Sequence, residues 1–173
     1  MVSSGVKYAA SKLLAHRATL DWVATHDPHF NVITLHPSYV LGHSLIQTSA
    51  ENVDILNGFM WGHLFTEDKI SYPSSSVDVE DVAAAHLKAL DMKVGKKTEV
   101  QEFLLDGGWS WERLLKIVNE KYPNAGFKRT EVDEAPWTIE TKRAEEILGM
   151  KWRSLEDTVS AFVDQQLQFA AKS

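Results

Sequence analysis

Tyr8 and Lys12 are the two residues of this sequence whose types and spacing best suit proton transfer. They stand four residues apart in the segment Tyr-Ala-Ala-Ser-Lys, and on a helix this spacing places both side chains on one face. Free phenols ionise only near pH ~10, and a neighbouring ammonium group stabilises the phenolate. Such a pair could pass a proton to or from a carbonyl oxygen. The same spacing also arises by chance on amphipathic helices, so the pair by itself does not define a function.

The segments around this pair are predicted to alternate between helices and strands. Apolar residues at helical spacing predict a helix over residues 4–26, which Pro28 ends, and the β-branched run 31–36 predicts a buried strand that Pro37 ends. A loop rich in Ser and Gly is expected to about residue 49. Further helices are predicted over residues 50–65, 79–90, 111–122, 138–149 and from 155 onward. Extended segments are predicted within residues 69–79, 100–108 and 126–132.

Several of these helices carry recognisable ends. Asp78, Ser110 and Ser154 each precede a helical segment and can cap its first turn, and Gly149 can end the helix before it. Hydrophobic residues make up 44% of the 173-residue chain, which suits one globular domain with a sizeable core. The alternation of helices and strands predicts an α/β fold with a mostly parallel sheet.

Composition argues against several classes of function. The net charge of −6, with 18 basic and 24 acidic residues, makes nucleic acid an unexpected partner. The absence of cysteine excludes disulfides, thiolate catalysis and cysteine metal sites in this sequence. The apolar runs are too short to span a bilayer, and the first residues lack the apolar core of a signal peptide. The sequence therefore predicts no membrane association and a cytoplasmic location.

Four segments in the same order resemble the extended short-chain dehydrogenase/reductases, the NAD-dependent epimerase/dehydratase family. They are the segment around Tyr8 and Lys12, the loop HPSYVLG, the stretch VDVEDVAAAHLKAL and the ending EILGMKWRSLEDTV. Together they cover nearly all of residues 6–165. Within the family, the chain is most similar to dihydroflavonol-reductase-like enzymes and to fungal ketone and aldehyde reductases. The resemblance implies a Rossmann-like, doubly wound fold and reduction of a ketone or aldehyde, or oxidation of the alcohol, with NADP or NAD.

The resemblance also implies roles for particular residues. Tyr8 would act as the acid/base on the carbonyl oxygen of a small substrate, and Lys12 would contact the nicotinamide ribose and stabilise the phenolate. The loop beside the nicotinamide, with Pro37, would bind the cofactor, and backbone groups around Ser38, Tyr39 and Val40 would hold the carboxamide. The substrate pocket would include Phe59, Met60 and Trp61. No metal is implied.

Parts of the family pattern do not occur in this sequence. It contains no G-x-G-x-x-G, and Gly107-Gly108 is no substitute; only seven residues precede Tyr8, so the family's catalytic Ser or Thr is missing too. His16 stands where relatives usually carry Glu. The chain is therefore expected to match the C-terminal half of the family, with residues 1–95 completing the Rossmann-like part and 96–173 mainly binding substrate.

Such a half is expected not to bind the cofactor well alone. Three hypotheses follow. The chain is a truncated or partial reductase, a non-redox isomerase, lyase or cyclase that reuses the pocket, or a non-catalytic partner of full-length relatives. Its own copies or a related full-length chain are the expected protein partners.

Other polar clusters have simpler explanations than chemistry. His26, Asp27 and His29 bracket Pro28 and suit a solvated turn better than a metal site, because no zinc-type ligand spacing is present. His36 and His43 flank the nicotinamide loop and are expected to be structural or pocket-lining. Three further predictions concern packing: Asp78, Glu80 and Asp81 start a helix, His86 is packed or hydrogen-bonded, and Trp109 and Trp111 anchor a helix cap to the core.

Overall fold

The structure is a computed structural model that describes residues 3–67, 71–73, 75–93, 99–135 and 138–172. Six helices and six strands alternate along these residues. The helices are α1 (Ser4–His26), α2 (Ile55–Leu64), α3 (Val79–Leu90), α4 (Trp111–Lys121), α5 (Lys142–Ile147) and α6 (Leu155–Ala170). The strands are β1 (Ile33–Pro37), β2 (Tyr39–Leu41), β3 (Ser71–Pro73), β4 (Ser76–Asp78), β5 (Gln101–Leu105) and β6 (Asp133–Ala135).

Every strand pair in the described part of the chain is parallel. β1 pairs with β5, β2 pairs with β4, and β3 pairs with β6. Each pair joins strands that are separated by at least one helix, as parallel pairing requires. The predicted α/β architecture with parallel pairing is confirmed.

Two apolar clusters form the core. The first lies where α2, α4 and α6 meet, and the second packs α3 and α5 against β4 and β5. Val118, Phe162 and Val163 of the first cluster are at most 1% exposed, as are Val77 and Phe103 of the second. These clusters fix the ends of β1, β4 and β5 relative to α2 and α4.

Most predicted helix boundaries are confirmed by capping contacts. Residues 4–26 form α1, and Asp27 then adopts a left-handed conformation with φ of 41° directly before Pro28. Asp78 caps α3 through a bond from the Glu80 amide of 2.8 Å. Ser110 caps α4 and Ser154 caps α6 by accepting amide hydrogen bonds of 3.1 Å each.

For two segments the predicted type of secondary structure is wrong. The loop predicted to residue 49 contains β2, a strand of three residues whose partner β4 lies more than 30 residues further along. Residues 126–132 form no strand, because the amides of Lys128 and Arg129 both donate to the carbonyl oxygen of Leu64, at 2.9 and 3.2 Å. The strand in this region is β6, which begins directly afterwards.

Two predicted helices are shorter than expected. The helix predicted over 50–65 begins only after Asp54, since the Asn52 side chain accepts hydrogen bonds from the Thr48 and Ser49 amides and holds a tight loop. The helix predicted over 138–149 is reduced to the six residues of α5. Gly149, with φ of 63°, follows it as expected of a residue that ends a helix. Among the described helices, none combines the length and apolar composition that crossing a membrane requires.

Candidate active site

Tyr8 and Lys12 lie one turn apart near the start of α1. The Tyr8 ring is 66% exposed and lines the mouth of a cavity of about 390 Å³. The Lys12 Nζ lies 5.4 Å from the centre of the Tyr8 ring. The ammonium is therefore within reach of the ring's electrostatic field, as in a cation–π contact.

Four further segments build the cavity beside Tyr8. They are the end of β1 with the residues after it, the first turns of α2, the start of β4, and the loop that leads into α4. Its walls are formed by Tyr8, Pro37, Ser38, Tyr39, Leu56, Phe59, Met60, Ser75, Ser76, Trp109, Ser110, Trp111 and Leu114. The cavity is thus mainly apolar, with one phenol at its mouth and serine side chains along its walls.

Hydrogen bonds fix the strand ends that form the cavity floor. The Ser38 amide donates to the carbonyl oxygen of Leu105 at 2.9 Å, and the Ser38 hydroxyl donates to Asp106 Oδ1 at 2.6 Å. The second carboxylate oxygen of Asp106 accepts from the Gly108 amide at 3.0 Å. The buried Asp106 therefore ties the turn after β5 to the end of β1.

Gly107 allows this turn to approach β4 closely. Its amide donates to the carbonyl oxygen of Ser76 at 2.7 Å. A Cβ at this position would lie 2.9 Å from both that oxygen and Trp109 Nε1, which is closer than side-chain carbons tolerate. The Gly107-Gly108 pair hence serves a tight turn against the cavity wall.

The α2 wall is held by its cap and by Tyr39. Asp54 Oδ1 accepts hydrogen bonds from the Leu56 and Asn57 amides at 3.0 and 2.9 Å. The Tyr39 hydroxyl donates to the carbonyl oxygen of Leu56 at 2.5 Å. These contacts orient Phe59, one turn further along α2, toward the cavity.

The structure brings most of the predicted site residues to this one cavity. Tyr8, Pro37, Ser38, Phe59 and Met60 line it, as does Tyr39. Lys12 does not line it and reaches it only through the Tyr8 ring.

The side chains of two predicted site residues lie elsewhere. Val40 points to the other side of β2, where it packs on the second core cluster and lines a different cavity next to α3. Trp61 packs edge-to-face on Phe65, Phe127 and Phe162 and is not among the residues that form the cavity walls. Along an α-helix each residue is rotated by about 100° from the one before it. Phe59 and Trp61 are two residues apart and therefore point to nearly opposite sides of α2, so they cannot both face the cavity.

Sequence reasoning missed part of the cavity wall. The sequence predicts packing roles for Trp109 and Trp111, and both are buried in the first core cluster, at 6% and 7% exposure. Their rings nevertheless also face the cavity. The signal that could have found them is the pair of tryptophans directly after the turn that follows β5, since that turn lies at the carboxyl end of a parallel strand.

Two histidines and one glutamate form a polar cluster in a second cavity, which Lys12 also lines. His16 Nε2 is 2.8 Å from Glu102 Oε1, and His36 Nε2 is 4.0 Å from the same oxygen. The two imidazole rings meet edge to face, with centres 4.9 Å apart. Burial lowers the pKa of His36, the nearby His16 lowers it further, and Glu102 partly offsets both effects. His36 therefore belongs to this cluster and is not a wall residue of the main cavity.

The other polar groups have structural contacts. His26 stacks on Trp22 and bonds the Trp22 carbonyl oxygen, and His86 Nδ1 bonds the Val82 carbonyl oxygen at 2.7 Å. His43 lies 3.3 Å from the amide nitrogen of Gln165.

The acidic residues at the start of α3 also have structural partners. Asp78 Oδ2 lies 3.5 Å from Arg153 Nε, Glu80 pairs with the same guanidinium, and Asp81 accepts from the Arg153 amide. These contacts agree with the helix-start interpretation of the three acidic residues.

The chain is similar to fungal reductases over most of its length. It is 35% identical over 170 residues to the ketoreductase sphI of Aspergillus fumigatus, a match that covers 94% of this chain and 50% of the relative. The structure of Gre2 from Candida albicans in complex with NADPH matches with a TM-score of 0.75 at 25% identity, over 98% of this chain and 53% of that chain. The chain belongs to the extended short-chain dehydrogenase/reductase family.

A further curated relative agrees with this assignment. The NADPH-dependent methylglyoxal reductase GRE2 of Saccharomyces cerevisiae is 26% identical over 184 residues, covering 95% of this chain and 52% of the relative. A comparison with protein-family models finds no match. This family member spans about half the length of the curated relatives it matches. That share is consistent with the predicted C-terminal half of a Rossmann-like reductase.

Proposed function

We propose that this chain carries the carbonyl-reducing machinery of an NADPH-dependent reductase, with Tyr8 as the proton donor to a ketone or aldehyde. The observation that carries the proposal is the position of the Tyr8 phenol at the mouth of a mainly apolar cavity beside the end of β1. In open α/β sheets, ligands bind beyond the carboxyl ends of the strands. A carbonyl group held in this cavity would thus meet a proton donor at its entrance.

The residues at the end of β1 fit the nicotinamide end of a dinucleotide cofactor. Pro37, Ser38 and Tyr39 line the cavity where its walls are mainly apolar, which suits a flat aromatic ring. In this proposal, backbone groups of Ser38 to Val40 hold the carboxamide and Lys12 contacts the ribose. The bound cofactor supplies the hydride. NADPH is the preferred form here because it is named for the Saccharomyces relative and for the Candida structure.

Tyr8 and Lys12 divide the acid/base work between them. As the carbonyl carbon accepts a hydride, its oxygen gains negative charge and takes the proton of the Tyr8 hydroxyl, which completes the alcohol. The phenolate that remains is stabilised by the Lys12 ammonium over its ring. In the oxidative direction, the same phenolate accepts the proton of the alcohol.

The walls of the cavity favour bulky apolar carbonyl compounds. Phe59, Trp109 and Trp111 present aromatic rings, and Leu56 and Met60 complete the apolar lining. Aromatic rings stack on or meet one another edge to face with an added gain of about 0.5–1.5 kcal/mol per pair. Ketones with an aromatic or branched aliphatic substituent are therefore the proposed substrate class.

The decisive experiment is a comparison of two tyrosine variants. The chain is joined to the N-terminal half of a related ketoreductase, and NADPH oxidation is followed with an aromatic ketone. Tyr8→Phe removes only the hydroxyl, so kcat is expected to fall at least ~10²-fold while KM changes little. Tyr122→Phe is the matched control, because the Tyr122 hydroxyl bonds Asp164 at 2.8 Å, away from the cavity. Full turnover by Tyr8→Phe contradicts the proposal.

Protein partners and location complete the proposal. Several apolar side chains of α1 are exposed, among them Val6, Leu14 and Trp22 at 57%, 63% and 42%. These exposed apolar side chains support association with a second copy or with a related full-length chain. A cytoplasmic location is part of the same proposal, and microscopy of a fluorescent fusion tests it.

A further inference from the structure

We propose that His16, His36 and Glu102 bind a divalent transition-metal ion of the zinc type. The three residues come from α1, β1 and β5, and their ligand atoms all lie within 4.8 Å of one another. No other group of three histidines or carboxylates meets in this way in the described part of the chain. The proposal does not depend on the reductase chemistry, because none of these residues lines the cavity of Tyr8.

The donor set suits zinc better than a hard cation. Two imidazole nitrogens and one carboxylate oxygen are a set that zinc accepts, whereas calcium and magnesium prefer oxygen ligands alone. All three side chains are half-buried, with 27% of His16, 35% of His36 and 42% of Glu102 exposed. An ion could reach the site from solvent without opening the core.

The distances require only small movements to hold an ion. Ligands at about 2.1 Å in a tetrahedron lie about 3.4 Å from one another. The separations from Glu102 Oε1 are 2.8 Å to His16 Nε2 and 4.0 Å to His36 Nε2, one below and one above this value. A shift of the Glu102 oxygen by less than about 1 Å brings both of these separations to about 3.4 Å, and the ligand atoms of all three residues lie within 4.8 Å of one another.

The two rings differ in their other polar contacts. His16 Nδ1 is buried and has no hydrogen-bond partner among the described residues, so Glu102 is the ring's polar partner. His36 Nε2 also contacts the Thr34 hydroxyl at 3.0 Å. His16 is thus paired with the Glu102 oxygen at 2.8 Å, and a second imidazole nitrogen, of His36, lies 4.0 Å from the same oxygen.

A cavity beside the three residues has space for a fourth ligand. The three residues open onto a cavity of about 650 Å³ that Lys12, Glu140 and Arg143 also line. The Arg143 guanidinium already has two acceptors, because its nitrogens donate to the Glu102 carbonyl oxygen and the Gln101 side chain. Water or an anion can complete the coordination from this cavity, as in zinc sites with three protein ligands.

Titration of the chelator-treated chain with zinc sulfate tests the site. The expected result is one site per chain, with affinity at least ~10-fold weaker in both His36→Ala and Glu102→Gln. His29→Ala is the matched control, because His29 is an exposed histidine outside the cluster. Its affinity should stay within about twofold of the unmutated chain. Zinc affinity that both cluster variants leave unchanged overturns the proposal.

Cobalt gives a second readout that does not require the variants to fold. Added Co²⁺ should produce the intense visible absorption of four- or five-coordinate cobalt in the unmutated chain, and zinc should remove it. The weak absorption of six-coordinate aqueous cobalt in the unmutated chain would overturn the assignment.

Discussion

A Lys12 variant tests whether Tyr8 and Lys12 act together as the proposed acid/base pair. Its ammonium lies over the Tyr8 ring, and the alternative, a chance surface pair, predicts no effect on catalysis. Lys12→Met keeps the apolar stem and removes the charge, so the phenolate loses its cation. Turnover in the chain joined to a related N-terminal half should fall at least ~10-fold, and its optimum should move to higher pH.

The control for this variant lies on the same helix. Lys7→Met removes an exposed lysine that is not one of the cavity's wall residues, and it should leave both the rate and the pH profile unchanged. A Lys12→Met enzyme with the pH optimum of the unmutated enzyme would show that the ammonium serves binding alone.

The carboxyl group of Asp81 is expected to make the stability of the folded chain depend on pH. Burial raises its pKa above the ordinary 3.8, and the neighbouring Asp78 and Glu80 add to this, while the Arg153 amide and guanidinium oppose it. The folded chain therefore holds this proton at pH values where the unfolded chain has lost it. The resulting stabilisation is complete below the unfolded pKa and disappears as pH rises through the folded pKa.

Asp81→Asn should remove this pH dependence. The free energy of unfolding of the unmutated chain, relative to the variant, is expected to fall as pH rises from about 4 toward neutrality. Urea unfolding followed by circular dichroism between pH ~3.5 and 7 measures the difference. A difference that is constant, or that grows with pH, would mean that the pKa of Asp81 is not raised.

At the scale of elements, the cap of α2 positions one wall of the cavity. Asp54 accepts two amide hydrogen bonds at the first turn, and removing such a cap costs about 0.5–2 kcal/mol. Asp54→Ala should lower the free energy of unfolding by that amount and raise KM for the ketone, because Phe59 follows on α2. Asp91→Ala, the same change at the C-terminal end of α3, should be neutral or slightly stabilising.

Elements defined by local signals were predictable from the sequence. The bounds of α1 and α3 agree because capping residues and helical periodicity are adjacent in the chain. β2 was not predictable, since three residues after Pro37 become a strand only through pairing with distant β4. The strand predicted over residues 126–132 is wrong for a related reason. The buried Arg129 side chain bonds the His63 carbonyl oxygen at 2.7 Å, which directs the Arg129 backbone to α2.

The candidate site was also predictable only where local sequence signals define it. Tyr8 and the end of β1 could be placed from motif and order alone, and the structure brings them to one cavity. The convergence of His16, His36 and Glu102 could not be foreseen, because the three lie on separate elements. Their meeting depends on the register of β1 against β5, in which Thr34 pairs with Glu102.

At the scale of the whole molecule, cofactor affinity depends on a phosphate-binding segment. The sequence contains no G-x-G-x-x-G, the loop that places a pyrophosphate on a helix N-terminus. The 173-residue chain by itself is therefore expected to bind NADPH with a Kd weaker than ~1 mM. Joining it to the N-terminal half of a related ketoreductase should restore tight binding. Calorimetric titration distinguishes the two, and micromolar affinity in the chain alone would contradict the prediction.

Self-association is the expected behaviour of the chain in solution. Within the described residues, Val23 is the buried member of the 23-residue helix α1, while Leu13 and Leu14 are 52% and 63% exposed. Among the described strands, β1 pairs with β5 alone, so its other edge offers free backbone groups to another chain. Exposed apolar side chains on α1 and an unpaired strand edge each favour contact between copies.

A charged side chain introduced on α1 should reverse the association. Sedimentation velocity of the unmutated chain at micromolar concentration is expected to show dimers or larger species, and Leu14→Glu should shift it toward monomer. Leu90→Glu is the matched control, because Leu90 is 83% exposed on α3, a different helix. If both variants shift the distribution equally, general solubility explains the effect and the α1 face is not the contact. A sharp monomer peak for the unmutated chain would rule out self-association at that concentration.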